Sequence, residues 1–101
     1  MLRRILRSLF NIHPTLDLHG MGVKEAIAVT ERFLRDAVDA GDSQVRIIYG
    51  KGRGSPGGVG VLRGVIPRWL EGEGSVWVER YERDLDQSGD DGAVRIWLRS
   101  D

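Results

Sequence analysis

The stretch LDLHG, residues 16–20, carries the clearest indication of chemistry in the sequence. Asp17 and His19 are two residues apart in a strand-like pattern, so their side chains point to one face while Leu16 and Leu18 point to the other. An imidazole titrates near neutral pH and suits proton transfer at a phosphodiester. A neighbouring carboxylate can orient the ring or weakly hold a divalent cation, Mg²⁺ or Mn²⁺. We therefore predict that Asp17 and His19 are catalytic, with Asp17 as a weak candidate metal ligand.

A glycine-rich loop, Gly50 to Gly60, is the second candidate. Its sequence GKGRGSPGGVG contains six glycines together with Lys51 and Arg53. Backbone N–H groups in such a loop, aided by cations, can hold a phosphate. Lys24 opens a predicted helix, where a cation is unfavourable unless an anion binds nearby. The residues predicted to contact phosphate are Gly20, Lys24, Gly50, Lys51, Gly52, Arg53 and Gly54.

The same loop permits a competing interpretation as a nucleotide or dinucleotide site. Gly52 to Gly57 fits GxGxxG between a strand and a helix, and Glu79 lies at a suitable distance for a ribose contact. Two observations disfavour it. The chain has strands for barely one mononucleotide-binding half, and Pro56 removes an N–H from the turn. A Walker A loop is excluded because glycine follows Lys51.

Composition excludes several classes of function. The chain has 101 residues, 41% apolar and 30% charged, enough for one small globular domain. Cysteine is absent, which excludes disulfides, thiolate zinc sites and cysteine nucleophiles. The formal net charge is zero, so any nucleic-acid site must be local. No apolar run is long enough to span a bilayer, and a cytoplasmic location is expected.

Hydrophobic periodicity predicts the elements that position these residues. We expect residues 1–14 to form a basic amphipathic N-terminal arm and residues 15–101 to form the domain. Predicted strands cover residues 15–19, 44–49, 75–81 and 93–99, and predicted helices cover 23–40 and 61–70. The order β-α-β-α-β-β with right-handed crossovers predicts an α/β fold of the α+β two-layer sandwich type. Both helices cover one face of a four-stranded mixed sheet.

The other face of this sheet is predicted to be open. Alternation directs Leu16, Leu18, Val76, Val78, Val94, Ile96 and Leu98 toward the helices. It directs Asp17, Arg46, Ile48, Trp77, Glu79, Tyr81, Arg95, Trp97 and Arg99 to the open side. Arginines among tryptophans suit nucleic acid through stacking and phosphate pairing, so Arg46, Trp77, Arg95, Trp97 and Arg99 are predicted to extend the binding surface. Alternatively, these aromatics are simply exposed, or are buried by the N-terminal arm.

Taken together, LDLHG, the G-K-G loop, VLR…VIPRWL and GAVRIWLR resemble the Smr (small MutS-related) domain family, over roughly residues 15–100. The resemblance implies a sandwich similar to the C-terminal domain of translation initiation factor three. It also implies an endonuclease that nicks DNA or cleaves RNA, with the ribosome or repair machinery as candidate partners. The D-x-H element of the family falls on Asp17, Leu18 and His19.

The second family element, H/T-G-x-G, falls on Tyr49, Gly50, Lys51 and Gly52. Here Tyr49 replaces the usual histidine or threonine. A tyrosine can donate a hydrogen bond to phosphate, but with a pKa of about 10 it is a poor base at neutral pH. His19 is then the proton-transfer group of the site. The alternative function is a nucleic-acid or ribonucleoprotein binding module without turnover.

Overall fold

The computed structural model describes residues 13–50, 61–85 and 91–100. Within these residues four strands, β1 to β4, cover Thr15–Asp17, Gln44–Ile48, Val78–Leu85 and Asp91–Leu98. The same residues contain two α-helices, α1 at Val23–Asp39 and α2 at Val61–Glu71, and a short 3-10 helix at Glu73–Val76. Residues 1–12 of the predicted arm and residues 51–60 of the glycine loop lie outside the described residues.

The strands form one mixed sheet in the order β1-β2-β4-β3. β1 and β2 are parallel, with Asp17 opposite Ile48, and β4 is antiparallel to both β2 and β3. The last strand therefore runs antiparallel to the other three, as predicted, and lies between β2 and β3. Because β1 and β2 are parallel neighbours, their carboxyl ends meet at one rim of the sheet.

A single core joins both helices to one sheet face. Helix residues Ala26, Leu34, Ile66 and Leu70 pack in the same cluster as Leu18, Val45, Ile47, Val94 and Ile96, all nearly inaccessible to solvent. Every second residue of β2 belongs to this core, which is the signature of a strand covered on one side. The predicted α+β sandwich with both helices on one face is confirmed.

The predicted start of the third strand is wrong. Residues Glu73–Val76 form the 3-10 helix, and Val76, expected in the core, is 64% exposed. Trp77, expected on the open face, stacks on Trp69 of α2 with ring centroids 6.2 Å apart. Strand β3 begins only at Val78, after the 3-10 helix that contains Gly74 and follows Gly72.

The face assignment within β3 is also corrected. The register shifts between Val78 and Arg80, so Glu79 forms a bulge and the later residues change sides. Tyr81, expected on the open face, packs against the core, and its hydroxyl donates to Glu71 Oε1 at 2.6 Å. This hydrogen bond, with desolvation and the charge of Glu71, raises the pKa of Tyr81 above its ordinary value.

A side chain at position 74 is expected to have a large effect on stability. A Cβ at this position would lie 2.6 Å from Cζ3 of Trp69, whose ring is buried. Gly74→Ala should therefore lower the free energy of unfolding by about 1–3 kcal/mol through overpacking. Gly64→Ala is the matched control, because Gly64 lies in α2 with open space around its Cα. That variant should gain roughly 0.5–1 kcal/mol from helix propensity. Urea unfolding measures both, and equal effects would contradict the packing.

Candidate functional site

His19 and Gly50 lie side by side at the rim where β1 and β2 end. Leu18 N–H donates to the Ile48 carbonyl at 2.7 Å, which extends the pairing of the two strands beyond β1. A Cβ added at Gly50 would lie 3.5 Å from Cδ2 of the His19 ring. The ring thus packs against the residue that precedes Lys51. The sequence predicts that the LDLHG corner lies next to the start of the glycine loop, and the structure places His19 next to Gly50.

Asp17 fixes the turn that presents His19. Its Oδ1 accepts a hydrogen bond from the backbone N–H of His19 at 2.9 Å, an Asx-turn geometry. The next turn closes where Met21 N–H donates to the Leu18 carbonyl at 3.0 Å, with Gly20 at φ +83°. Asp17 and His19 are both exposed, whereas Leu18 between them is fully buried. The Asp17 carboxylate therefore forms its hydrogen bond with the backbone amide of His19 and not with the imidazole ring.

Helix α1 begins directly after this turn. Its N-cap residue, Gly22, provides no side-chain cap, and Lys24 and Glu25 occupy the exposed first turn. Lys24 is thus an exposed residue of the first helical turn, and its contact with an anion stays a prediction. The charge of Glu25 opposes that of Lys24 in the same turn, so the side chains of this turn contribute little net charge.

Tyr49 and Gly50 use their polar groups inside the protein. The Tyr49 side chain is 5% exposed, belongs to the core, and its hydroxyl donates to the Ala93 carbonyl at 3.3 Å. The backbone N–H groups of both residues donate to the Gly92 carbonyl at 3.1 Å. The phosphate contacts expected from the Tyr49 hydroxyl and the Gly50 amide are therefore not supported. Gly50 acts instead as the close neighbour of His19.

The rest of the predicted phosphate loop, Lys51, Gly52, Arg53 and Gly54, lies outside the described residues. Within residues 13–50, 61–85 and 91–100, no group of three His, Asp or Glu side chains could hold a metal ion. Asp17 also already accepts the His19 amide at one oxygen. The described donors do not fit a resident divalent cation.

The open face of the sheet is defined by strand register. Residues directly opposite each other across paired strands share a face. Asp17 is opposite Ile48, Arg46 is opposite Arg95, and Arg80 is opposite Trp97. The open face thus includes Asp17, Arg46, Ile48, Arg80, Glu82, Arg95 and Trp97, with Thr15, Gln44 and Ala93 opposite three of them.

Trp97 is flanked by arginines on this face. The Arg80 guanidinium carbon lies 3.7 Å from the indole centroid, and that of Arg95 lies 6.0 Å from it. Arg46 donates to Asp84 at 2.6 Å, and Arg80 pairs with Glu82 at 3.0 Å. Arg95 is exposed and has no carboxylate partner among the described residues.

One predicted surface residue, Trp77, does not belong to the open face, and one residue that does belong to it was missed. Trp77 stacks on α2, and Arg35 lies 5.8 Å from its ring. Arg99 follows β4 and donates its Nε–H to the Ser75 carbonyl at 2.8 Å. Arg80 was missed because the bulge at Glu79 reverses the alternation. Its signal in the sequence, a cation among charged residues of an edge strand, is too common to be diagnostic.

The contact between His19 and Gly50 is directly testable. Gly50→Ala and Gly20→Ala each place a side chain at a positive φ, +87° and +83°, and each should cost about 1–2 kcal/mol of stability. Only at Gly50 does the new methyl group approach the His19 ring. We expect a nuclear Overhauser effect between that methyl and His19 Hδ2. Equal stability losses without this effect would show that the ring lies elsewhere.

A family model described as the Smr domain matches residues 16–99. Endonuclease MutS2 of Caldanaerobacter subterraneus subsp. tengcongensis is 34% identical over 90 residues, covering 89% of this chain and 10% of that protein. Endonuclease NBR9 of Saccharomyces cerevisiae is 34% identical over 59 residues, covering 58% of this chain and 25% of that protein. This chain thus spans about a tenth of the MutS2 relative and a quarter of the yeast one.

The structural comparison agrees. The crystal structure of the Smr domain of Thermus thermophilus MutS2 superposes with a TM-score of 0.70 at 29% identity, covering 85% of this chain and 98% of that one. Within the described residues, no helix combines the length and the apolar character required to cross a membrane.

Proposed function

The chain belongs to the Smr domain family, and we propose that it is an endonuclease whose catalytic group is His19. The observation that supports this is the packing of an exposed imidazole against Gly50 at the sheet rim. The relatives named as endonucleases add to it, although each is far longer than this chain. The substrate is a phosphodiester of RNA or DNA.

In this proposal His19 moves the proton of the reaction. It accepts a proton from the attacking hydroxyl or water, or donates one to the leaving oxygen, and an imidazole side chain can serve in either role. Asp17 is a positioning residue, because its carboxylate holds the backbone amide of His19. Lys24 attracts the phosphate at the rim. Lys51, Gly52, Arg53 and Gly54 complete the phosphate contacts.

A cleavage panel tests this function. Labelled single-stranded RNA, duplex DNA and supercoiled plasmid are incubated with the protein, with and without Mg²⁺ or Mn²⁺. We expect cleavage of at least one substrate, and the dependence on added cation decides whether a metal bound through substrate phosphates takes part. Intact substrates under all conditions would contradict an endonuclease.

A second function, nucleic-acid binding without turnover, is favoured by one observation. The tyrosine at position 49 is buried and bonded to a backbone carbonyl, so it supplies no second acid–base group at the rim. In that case no substrate is cut, whereas the protein still binds nucleic acid. Lys51→Ala and Arg53→Ala then lower the affinity and reduce its dependence on salt.

A further inference from the structure

The open face contains a built stacking site away from the rim. The Arg80 guanidinium covers the Trp97 ring at 3.7 Å, which is within the range of a cation–π contact. Both residues project from adjacent antiparallel strands, so the backbone holds them in register. An indole and a guanidinium plane are both protein groups on which unpaired bases stack.

Charge on this face suits a phosphate at one particular position. Glu82 pairs with Arg80 at 3.0 Å and Asp84 pairs with Arg46 at 2.6 Å, whereas the exposed Arg95, which lies opposite Arg46 and Glu82, makes no ion pair of its own within the described residues. Arg95 lies beside Trp97 on the same strand and the same face. A base on the stacked pair would therefore have a cation available for its phosphate.

The stacking site and the residues next to the rim lie on the same face of the sheet. Trp97 is opposite Gln44 at the start of β2, and Asp17 is opposite Ile48 at its end. Four residues of strand separate these registers, roughly 13 Å at 3.3 Å per residue. A chain bound along β2 and β4 can thus contact Trp97 and His19 together.

We propose that the open face binds a single-stranded segment of nucleic acid, with a base stacked on the Arg80–Trp97 pair, a phosphate on Arg95, and the following chain directed to His19. This inference rests on the proposed function and names its substrate class. Single strands are favoured over duplexes because a base must be unpaired to stack on a flat side chain.

Binding is measured with the His19→Ala protein, so that the substrate remains intact whether or not the protein is a nuclease. The probes are a fluorescein-labelled 12-nucleotide single strand and the corresponding duplex, followed by fluorescence anisotropy at several salt concentrations. Trp97→Leu should weaken single-strand binding roughly 5- to 100-fold, and Trp97→Phe should retain most of the affinity. Arg95→Gln should reduce the magnitude of the salt slope by about 0.7.

Matched controls come from the opposite side of the molecule. Trp77→Phe changes a tryptophan on the helix side, and Arg32→Gln removes an exposed charge from α1; neither should alter affinity. Trp97 fluorescence should be quenched by the single strand, and the quenching should be absent in Trp97→Phe. Unchanged affinity in Trp97→Leu, tighter binding of the duplex, or dimerisation through this face in sedimentation experiments would each overturn the proposal. Loss of cleavage activity alone would leave these binding results unaffected.

Discussion

His19→Ala is expected to reduce cleavage about 10²- to 10⁴-fold, the range over which a positioned general acid or base contributes. The reason is chemical rather than structural. His19 is exposed and its ring packs beside Gly50, so truncation removes the imidazole without opening a cavity in the core. Single-turnover cleavage with saturating protein measures the rate, and anisotropy on the same substrate measures binding, which should change little.

The chain offers a matched control in its other histidine. His13 lies before β1, away from the turn that carries His19, and His13→Ala should leave the cleavage rate unchanged. If both alanine variants cut as fast as the parent protein, the proton is moved by another group. If both are slow and also less stable to urea, the effect is one of folding, and the role assigned to His19 fails.

Asp17→Ala is expected to lower the cleavage rate about 100-fold, because the turn that holds His19 loses its side-chain acceptor. A displacement of a catalytic group by about 1 Å can cost that much. Stability should fall by only about 0.5–1.5 kcal/mol, the usual net contribution of one hydrogen bond. Cleavage kinetics and urea unfolding of the same variant separate the two effects.

Asp17→Asn distinguishes a positioning role from a charge role. An asparagine retains the oxygen that accepts the His19 amide and forms the same kind of turn, but it has no negative charge. If Asp17 acts through the turn, this variant should recover most of the parent rate. If it is as slow as Asp17→Ala, the carboxylate charge is required. Asp17 would then hold a cation or orient the imidazole, and would not act by positioning the turn.

The sequence by itself determined the order of the helices and strands and the faces of the first strand. Alternation around Leu16 and Leu18 predicted that Asp17 and His19 project away from the core, and Leu18 is indeed fully buried. Helix α1 was predicted over residues 23–40 and is observed over Val23–Asp39, because its apolar stripe is long and its end is marked by Gly41. Such local patterns are readable because neighbouring residues alone set them.

Only the tertiary structure decided which side chains come into contact and which polar groups already have hydrogen-bond partners inside the protein. Pairing of β1 with β2 brings His19 to Gly50, whereas β4 supplies the Gly92 and Ala93 carbonyls that take up the Gly50 amide and the Tyr49 hydroxyl. The bulge at Glu79 placed Arg80 over Trp97 and turned Tyr81 toward α2. These outcomes depend on register between strands distant in the chain, and a shift of one residue moves a side chain to the opposite face.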